Sequence, residues 1–142
     1  MRTDEKPISG QAARKVAEFR TAMRTFLHRS EQIARANGLT PQRYLLLLMI
    51  KGAPDGSERA TVTDLVERLE LAQSTVTELV RRAESAGLIE RERSSADGRV
   101  ANLRLTAEGE RRLARVFTHL EVEREQLRAA FAKFEDEVQQ DS

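Results

Sequence analysis

Between Val62 and Leu105 the spacing of apolar residues changes from helical to twofold, and this switch constrains the fold more than any other feature of the chain. Val62, Leu65, Val66 and Leu69 recur at steps of 3, 1 and 3, the spacing of one helix face. After the linker Glu70-Leu71-Ala72, the inward set Val76, Leu79, Val80 and Ala83 predicts a second helix over residues 73–86, ended by Gly87. The period then becomes two. Ile89, Arg91 and Arg93 alternate with Leu88, Glu90 and Glu92, and Ala101, Leu103 and Leu105 resume the alternation beyond Asp97-Gly98-Arg99. Asp-Gly between alternating segments is a strong hairpin signal. Helix, short linker, helix and charged-tip hairpin is the order of a helix-turn-helix followed by a wing.

The flanks read as helix. Residues 11–36 contain neither Gly nor Pro, and Asn37-Gly38 supplies a stop. Ala12, Val16, Phe19, Met23, Phe26 and Ile33 form a narrow stripe at near-heptad spacing, with Arg14, Lys15, Arg20, Arg24, Arg29 and Arg35 off it. Thr40 suits an N-cap and Pro41 a first helical position, so residues 44–50 read as a short buried helix closed by Gly52. No Gly or Pro follows Gly109, and Leu113, Phe117, Leu120, Leu127, Phe131, Phe134 and Val138 make a second seam. A continuous helix over 107–138 would be about 48 Å long at 1.5 Å per residue, too long for one small domain to bury alone. A break near Thr118-His119 and an unbroken helix both fit. The fold class expected is therefore mainly α with a small β-hairpin, a winged helix-turn-helix domain plus long N- and C-terminal dimerisation helices. The 142 residues suit a single domain, with dimerisation helices over 11–37 and 107–138 and a DNA-binding lobe over 55–106.

Composition excludes several functions. With no cysteine, disulfides, thiolate metal sites and thiol redox sensing are ruled out. His28 and His119 lie on different helices without a ligand ladder, so neither a metal nor another cofactor is expected. Phosphate-binding glycine loops, a G-x-S-x-G elbow and a Cys nucleophile are all missing, which argues against an enzyme. No apolar run approaches the roughly 20 residues of a membrane span, and the N-terminus is polar, so a cytoplasmic protein without membrane partners is expected.

The net charge is +1, but residues 1–54 carry +6 and residues 55–109 carry −3. The segment holding the DNA reader is thus acidic, which requires Asp64, Glu67, Glu90 and Glu92 to face away from DNA. Gln73, Ser74, Thr75 and Thr77, at the start of the second helix, are short and polar. They suit base edges and phosphates in a major groove. Arg99, at the hairpin tip, suits the negative potential of a minor groove.

Residues 65–109 resemble the MarR family of winged-helix transcription regulators. The resemblance rests on the QSTVT start of the reading helix, the AGLIER junction, Asp97-Gly98-Arg99 and the Leu105-Thr106-Ala107-Glu108-Gly109 exit. With the flanking helices it extends over roughly residues 11–138. Departures are Glu70 where the family turns on Gly, Ala72 where a Ser or Thr caps the reading helix, and a short C-terminal block with no separate final helix. Gln73 or Ser74 is therefore expected to cap. The resemblance implies a homodimer on pseudo-palindromic double-stranded DNA, usually a repressor. By position, Gln73, Ser74, Thr75 and Thr77 would meet bases and phosphates, Arg81 the backbone, and Arg99 the minor groove, with Asp97 orienting it. Arg93 joins the DNA-facing set. The competing reading pairs Arg81, Arg82, Arg91 and Arg93 with Glu78, Glu84, Glu90 and Glu92 on a solvated face. Such regulators also share an apolar cleft. Met23, Phe26, Tyr44, Leu48 and Phe117 are its candidates, for a small apolar or phenolic effector, with ordinary core packing as the alternative. A helical dimeric adaptor with weak or no DNA binding is the second functional reading.

Overall fold

Ser9 opens the first helix, its hydroxyl accepting a 3.0 Å hydrogen bond from the Ala12 N–H. The computed structural model describes residues 5–93 and 101–140. In chain order the elements are α1 (Gly10–Ala36), α2 (Pro41–Lys51), α3 (Val62–Leu69), α4 (Gln73–Ser85), β1 (Ile89–Arg93), β2 (Ala101–Leu105), α5 (Ala107–His119) and α6 (Glu121–Gln140). They divide into two compact units. One holds the chain up to Ser30 and from Leu120 onward; the other is Glu31–His119. Among the described residues, no helix is long and apolar enough to cross a membrane.

The second unit is the winged lobe. Thr40 caps α2 by accepting from the Arg43 N–H at 3.2 Å, with Pro41 at the first helical position. Thr61 and Asp64 close a reciprocal capping box on α3. The core consists of Leu46, Leu47 and Ile50 from α2, Leu65 from α3, Val76, Val80 and Ala83 from α4, and Leu88, Ile89, Leu103 and Leu105 from the hairpin. Leu113 and Val116 of α5 are buried as well. β1 and β2 pair antiparallel, Ile89 opposite Leu105 and Arg93 opposite Ala101. The free edge of β2 is used too, because Ala60 and Leu103 exchange backbone hydrogen bonds of 3.1 and 2.8 Å. Thr106 ties the hairpin to α5. Its hydroxyl donates to the Gly87 carbonyl at 2.6 Å and accepts from the Gly109 N–H at 3.1 Å.

The first unit places α1 beside α6. Phe19 stacks on Phe134 with ring centroids 4.6 Å apart and meets Phe131 at 5.9 Å. The inward row of α1 differs from the expected stripe. Phe19, Phe26 and Ile33 are half-buried or better, but Val16 and Met23 are 50% and 36% exposed, and Ala22 is turned inward instead. Lys15, expected off the stripe, is buried. Its Nζ donates to the Glu137 main-chain oxygen at 3.1 Å, so the charged end serves the last turns of α6 while its methylenes are covered.

The C-terminal block is likewise not one helix. It breaks at Leu120, one residue past the Thr118-His119 position considered from sequence, and α6 is a separate final helix. No Gly or Pro causes the break. Leu120 is 1% exposed, its carbonyl starts α6 by accepting from the Arg124 N–H at 2.8 Å, and the His119 ring lies 3.2 Å from the Asn37 amide nitrogen. Tertiary contacts at the junction, rather than helix propensity, accompany the break.

Candidate nucleic-acid interface

The geometry of α4 follows from what precedes it. α3 ends on Glu70, whose φ of +54° and ψ of 42° are left-handed, and whose N–H returns to the Val66 carbonyl at 3.0 Å. This is the position where a glycine would turn without strain, so Glu70 makes the same turn despite its Cβ. Two residues later Ala72 begins α4 in an extended conformation. Neither Gln73 nor Ser74 takes over the capping role, and α4 has no side-chain cap. An alanine at that position has no acceptor to offer, and side chains already inside the first turn point away from its amides.

Gln73, Ser74, Thr75 and Thr77 are all exposed on this first turn and a half. Behind them, Val76 and Val80 are completely buried and Leu79 is 8% exposed, so the helix is anchored along its opposite side against α2 and α3. The result is a row of short polar side chains and uncapped N–H groups on a firmly held helix end, the geometry that enters a major groove.

The arginines behind that row are already engaged. Glu78 accepts from Arg81 Nε and Nη2 at 2.9 and 2.6 Å and from Arg82 Nε at 2.9 Å. Those hydrogen bonds, Arg81's first, lower the Glu78 carboxyl to about 2 and raise the Arg81 guanidinium. Arg91 is held by Glu84 at 3.0 and 3.1 Å, Arg104 by Glu90 at 2.8 Å, and Arg59 by Glu92. The pairing reading thus holds for Arg81, Arg82 and Arg91. Two partners differ from those inferred, since Glu90 pairs across the hairpin with Arg104 and Glu92 pairs with Arg59. Asp64, one of the acids expected to face away from DNA, is occupied by the capping box. Arg59 and Arg104 were not singled out in the sequence. Arg104 could have been found from the strand register, whereas Arg59 has no local signal because its partner is 33 residues away.

The wing is described up to its base. Arg93 closes β1 opposite Ala101; Asp97 and Arg99 lie outside the described residues. The five cleft candidates divide between the units. Met23, exposed, and Phe26, half-buried, are in the first; Tyr44 and Leu48, half-buried, and Phe117, 59% exposed, are in the second.

A helix-turn-helix with a buried back face, an exposed polar reading end and a two-stranded wing defines a winged-helix DNA-binding protein. The sequence model of the MarR family matches residues 37–100. An HTH-type transcriptional regulator of Bacillus subtilis strain 168, YsmB, is 32% identical over 109 residues, spanning 77% of this chain and 70% of that protein. The chain belongs to the MarR family of transcription regulators. Solved structures share the fold. AbsC, a MarR family transcriptional regulator from Streptomyces coelicolor, superposes with a TM-score of 0.66 at 21% identity, covering 96% of this chain and 91% of that one. A mutant MarR from E. coli complexed with operator DNA superposes with a TM-score of 0.66 at 15% identity, covering 95% and 98%.

Proposed function

We propose that this regulator is a cytoplasmic homodimeric repressor that binds a pseudo-palindromic operator and is released by a small, partly apolar effector. The observation that carries the reading is the α4 end, where Gln73, Ser74, Thr75 and Thr77 are exposed while Val76 and Val80 behind them are fully buried. In this reading Ser74 and Thr77 approach base edges, and Gln73 and Thr75 share base and phosphate contacts. Arg81 and Arg93 meet the backbone, and Arg99, oriented by Asp97, reaches the minor groove.

Dimerisation is supported by the first unit. Ile8, Val16, Met23, Leu27, Val122, Phe131 and Val138 are large, apolar and exposed there, seven of the nine such residues among those described. A second copy covering that surface makes a closed twofold assembly and presents two reading helices to two half-sites.

A fluorescence titration across salt concentrations, on matched and altered half-sites, tests the assignment. Thr77→Ala should change the preferred half-site more than the salt slope. Arg99→Ala should weaken binding by about 1–3 kcal/mol and reduce the slope. One observation favours the adaptor reading. The described arginines on α4 and the hairpin whose side chains are placed are all paired with carboxylates. An adaptor would show no operator preference in the same titration.

A further inference from the structure

Successive residues of β1 are gripped on opposite faces of the wing by two different elements. Side chains alternate along a strand, so Arg91 and Glu92 point to opposite sides of the hairpin. Arg91 is held by Glu84 of α4, its Nε lying 3.0 and 3.1 Å from the two carboxylate oxygens. Glu92 is held by Arg59, which lies outside both the hairpin and the reading helix. Arg59 Nε donates to Glu92 Oε2, and Nη2 donates to Oε1 at 3.4 Å. In register Glu92 stands opposite Asn102, one pair beyond Leu103, where Ala60 makes an isolated backbone bridge. A two-stranded hairpin is marginal by itself, so side-chain pairs at this level bear on the direction in which the wing projects.

Arg59 is itself braced. Its N–H donates to Ser57 Oγ at 3.2 Å, that hydroxyl donates to the Arg59 carbonyl at 3.3 Å, and Arg59 Nη1 donates to the Ser57 carbonyl at 3.2 Å. Glu58, between them, has a φ of +58°, a left-handed conformation that is costly for a residue with a Cβ. Its carboxylate meets Lys51 Nζ of α2 at 3.0 Å, and the same Nζ meets Glu110 of α5 at 3.0 Å. The guanidinium is thus held in place before it meets Glu92, which reduces the ordering entropy that makes most exposed ion pairs weak. We propose that Arg59 is a positioning residue for operator binding: through Glu92 it sets the direction of the wing relative to α4, without itself touching DNA. Its Nε, Nη1 and Nη2 are each already engaged by Glu92 or Ser57. The role rests on the operator reading above.

The test uses a duplex enriched by the unaltered full chain from a random-sequence library, titrated with Arg59→Ala, Glu92→Ala and the double variant. Each single variant should weaken binding about three- to fivefold, the worth of one exposed and well-oriented pair. The double variant should be no weaker than either single one. The fall in Glu92→Ala is the decisive sign, because removing a carboxylate from a DNA-binding lobe otherwise strengthens attraction to phosphates. The salt slope of Arg59→Ala should equal that of the unaltered chain. A slope smaller by about 0.9 would mean that Arg59 meets a phosphate, and would overturn the proposal. Tighter binding by Glu92→Ala, or losses that add in the double variant, would overturn it too. Amide hydrogen exchange of the free chain reads the clamp without DNA. Amides of residues 91–93 and 101–103 should exchange about three- to fivefold faster in both single variants, with those of α4 unchanged. Unaltered exchange there would overturn the proposal whether or not the chain binds DNA. Faster exchange in a chain that enriches no duplex would instead overturn the operator reading, and with it the role on DNA.

Discussion

A Cβ placed on Gly109 would stand 2.1 Å from the main-chain oxygen of Leu88. The same oxygen accepts the Thr106 N–H at 3.0 Å. The start of α5 is therefore pressed against the entry to β1, and only a residue without a side chain permits that approach. Gly109→Ala should destabilise the fold by about 2–3 kcal/mol, as overpacking does. Thermal denaturation followed by circular dichroism checks this. An unchanged melting temperature would contradict the contact.

Glu78 holds two arginines of the reading helix at once. DNA phosphates must compete with that carboxylate for Arg81 and Arg82. Glu78→Gln should release both cations, raise DNA affinity about tenfold at low salt and steepen the salt slope by about 1–2. The melting temperature near neutral pH should change little, because the pairs are exposed. Affinity that is unchanged or weaker would show that neither arginine faces DNA.

Acid should weaken the folded state. Glu78 is depressed to about 2 from an ordinary value of 4.5, and Glu92, Glu108 and Glu125 are lowered as well, each chiefly by hydrogen bonds from arginine. A carboxyl whose folded value lies below its unfolded one stabilises the fold above the unfolded value. That contribution is lost as pH falls through the folded value. Melting temperature should therefore be nearly flat from neutrality to about pH 5 and fall from about 4.5 towards 2. Added salt should flatten the fall. Constant or rising stability between pH 5 and 3 would contradict the ion-pair assignment.

Much of the lobe was legible because its signals are local. The α3 bounds, the Thr40 cap, the buried set of α4 and both hairpin strands follow from apolar spacing and turn residues within a few positions. The first unit was less legible. The near-heptad apolar spacing put Val16 and Met23 inward, whereas Ala22 and the methylenes of Lys15 face in. An apolar residue awaiting a second chain looks the same in sequence as one buried within its own. The break at Leu120 has no breaker residue, and its companion contact, His119 with Asn37, spans 82 positions. In the reading helix, the exposed row from Gln73 to Thr77 was legible. That Ala72 brings no cap was legible as well, but the expectation that Gln73 or Ser74 would cap instead failed, because both already lie inside α4.

The central claim is that α4 reads a specific, twofold-symmetric DNA sequence. Selection of duplexes bound by the full chain from a random-sequence library, followed by sequencing, tests it most directly. Two inverted half-sites whose centres lie about one helical turn, 10–10.5 base pairs, apart or a multiple of that should be enriched. Thr77→Ala should lose the half-site preference. A pool that stays random through successive rounds, while the protein remains folded, would contradict it and leave the dimeric adaptor as the better description.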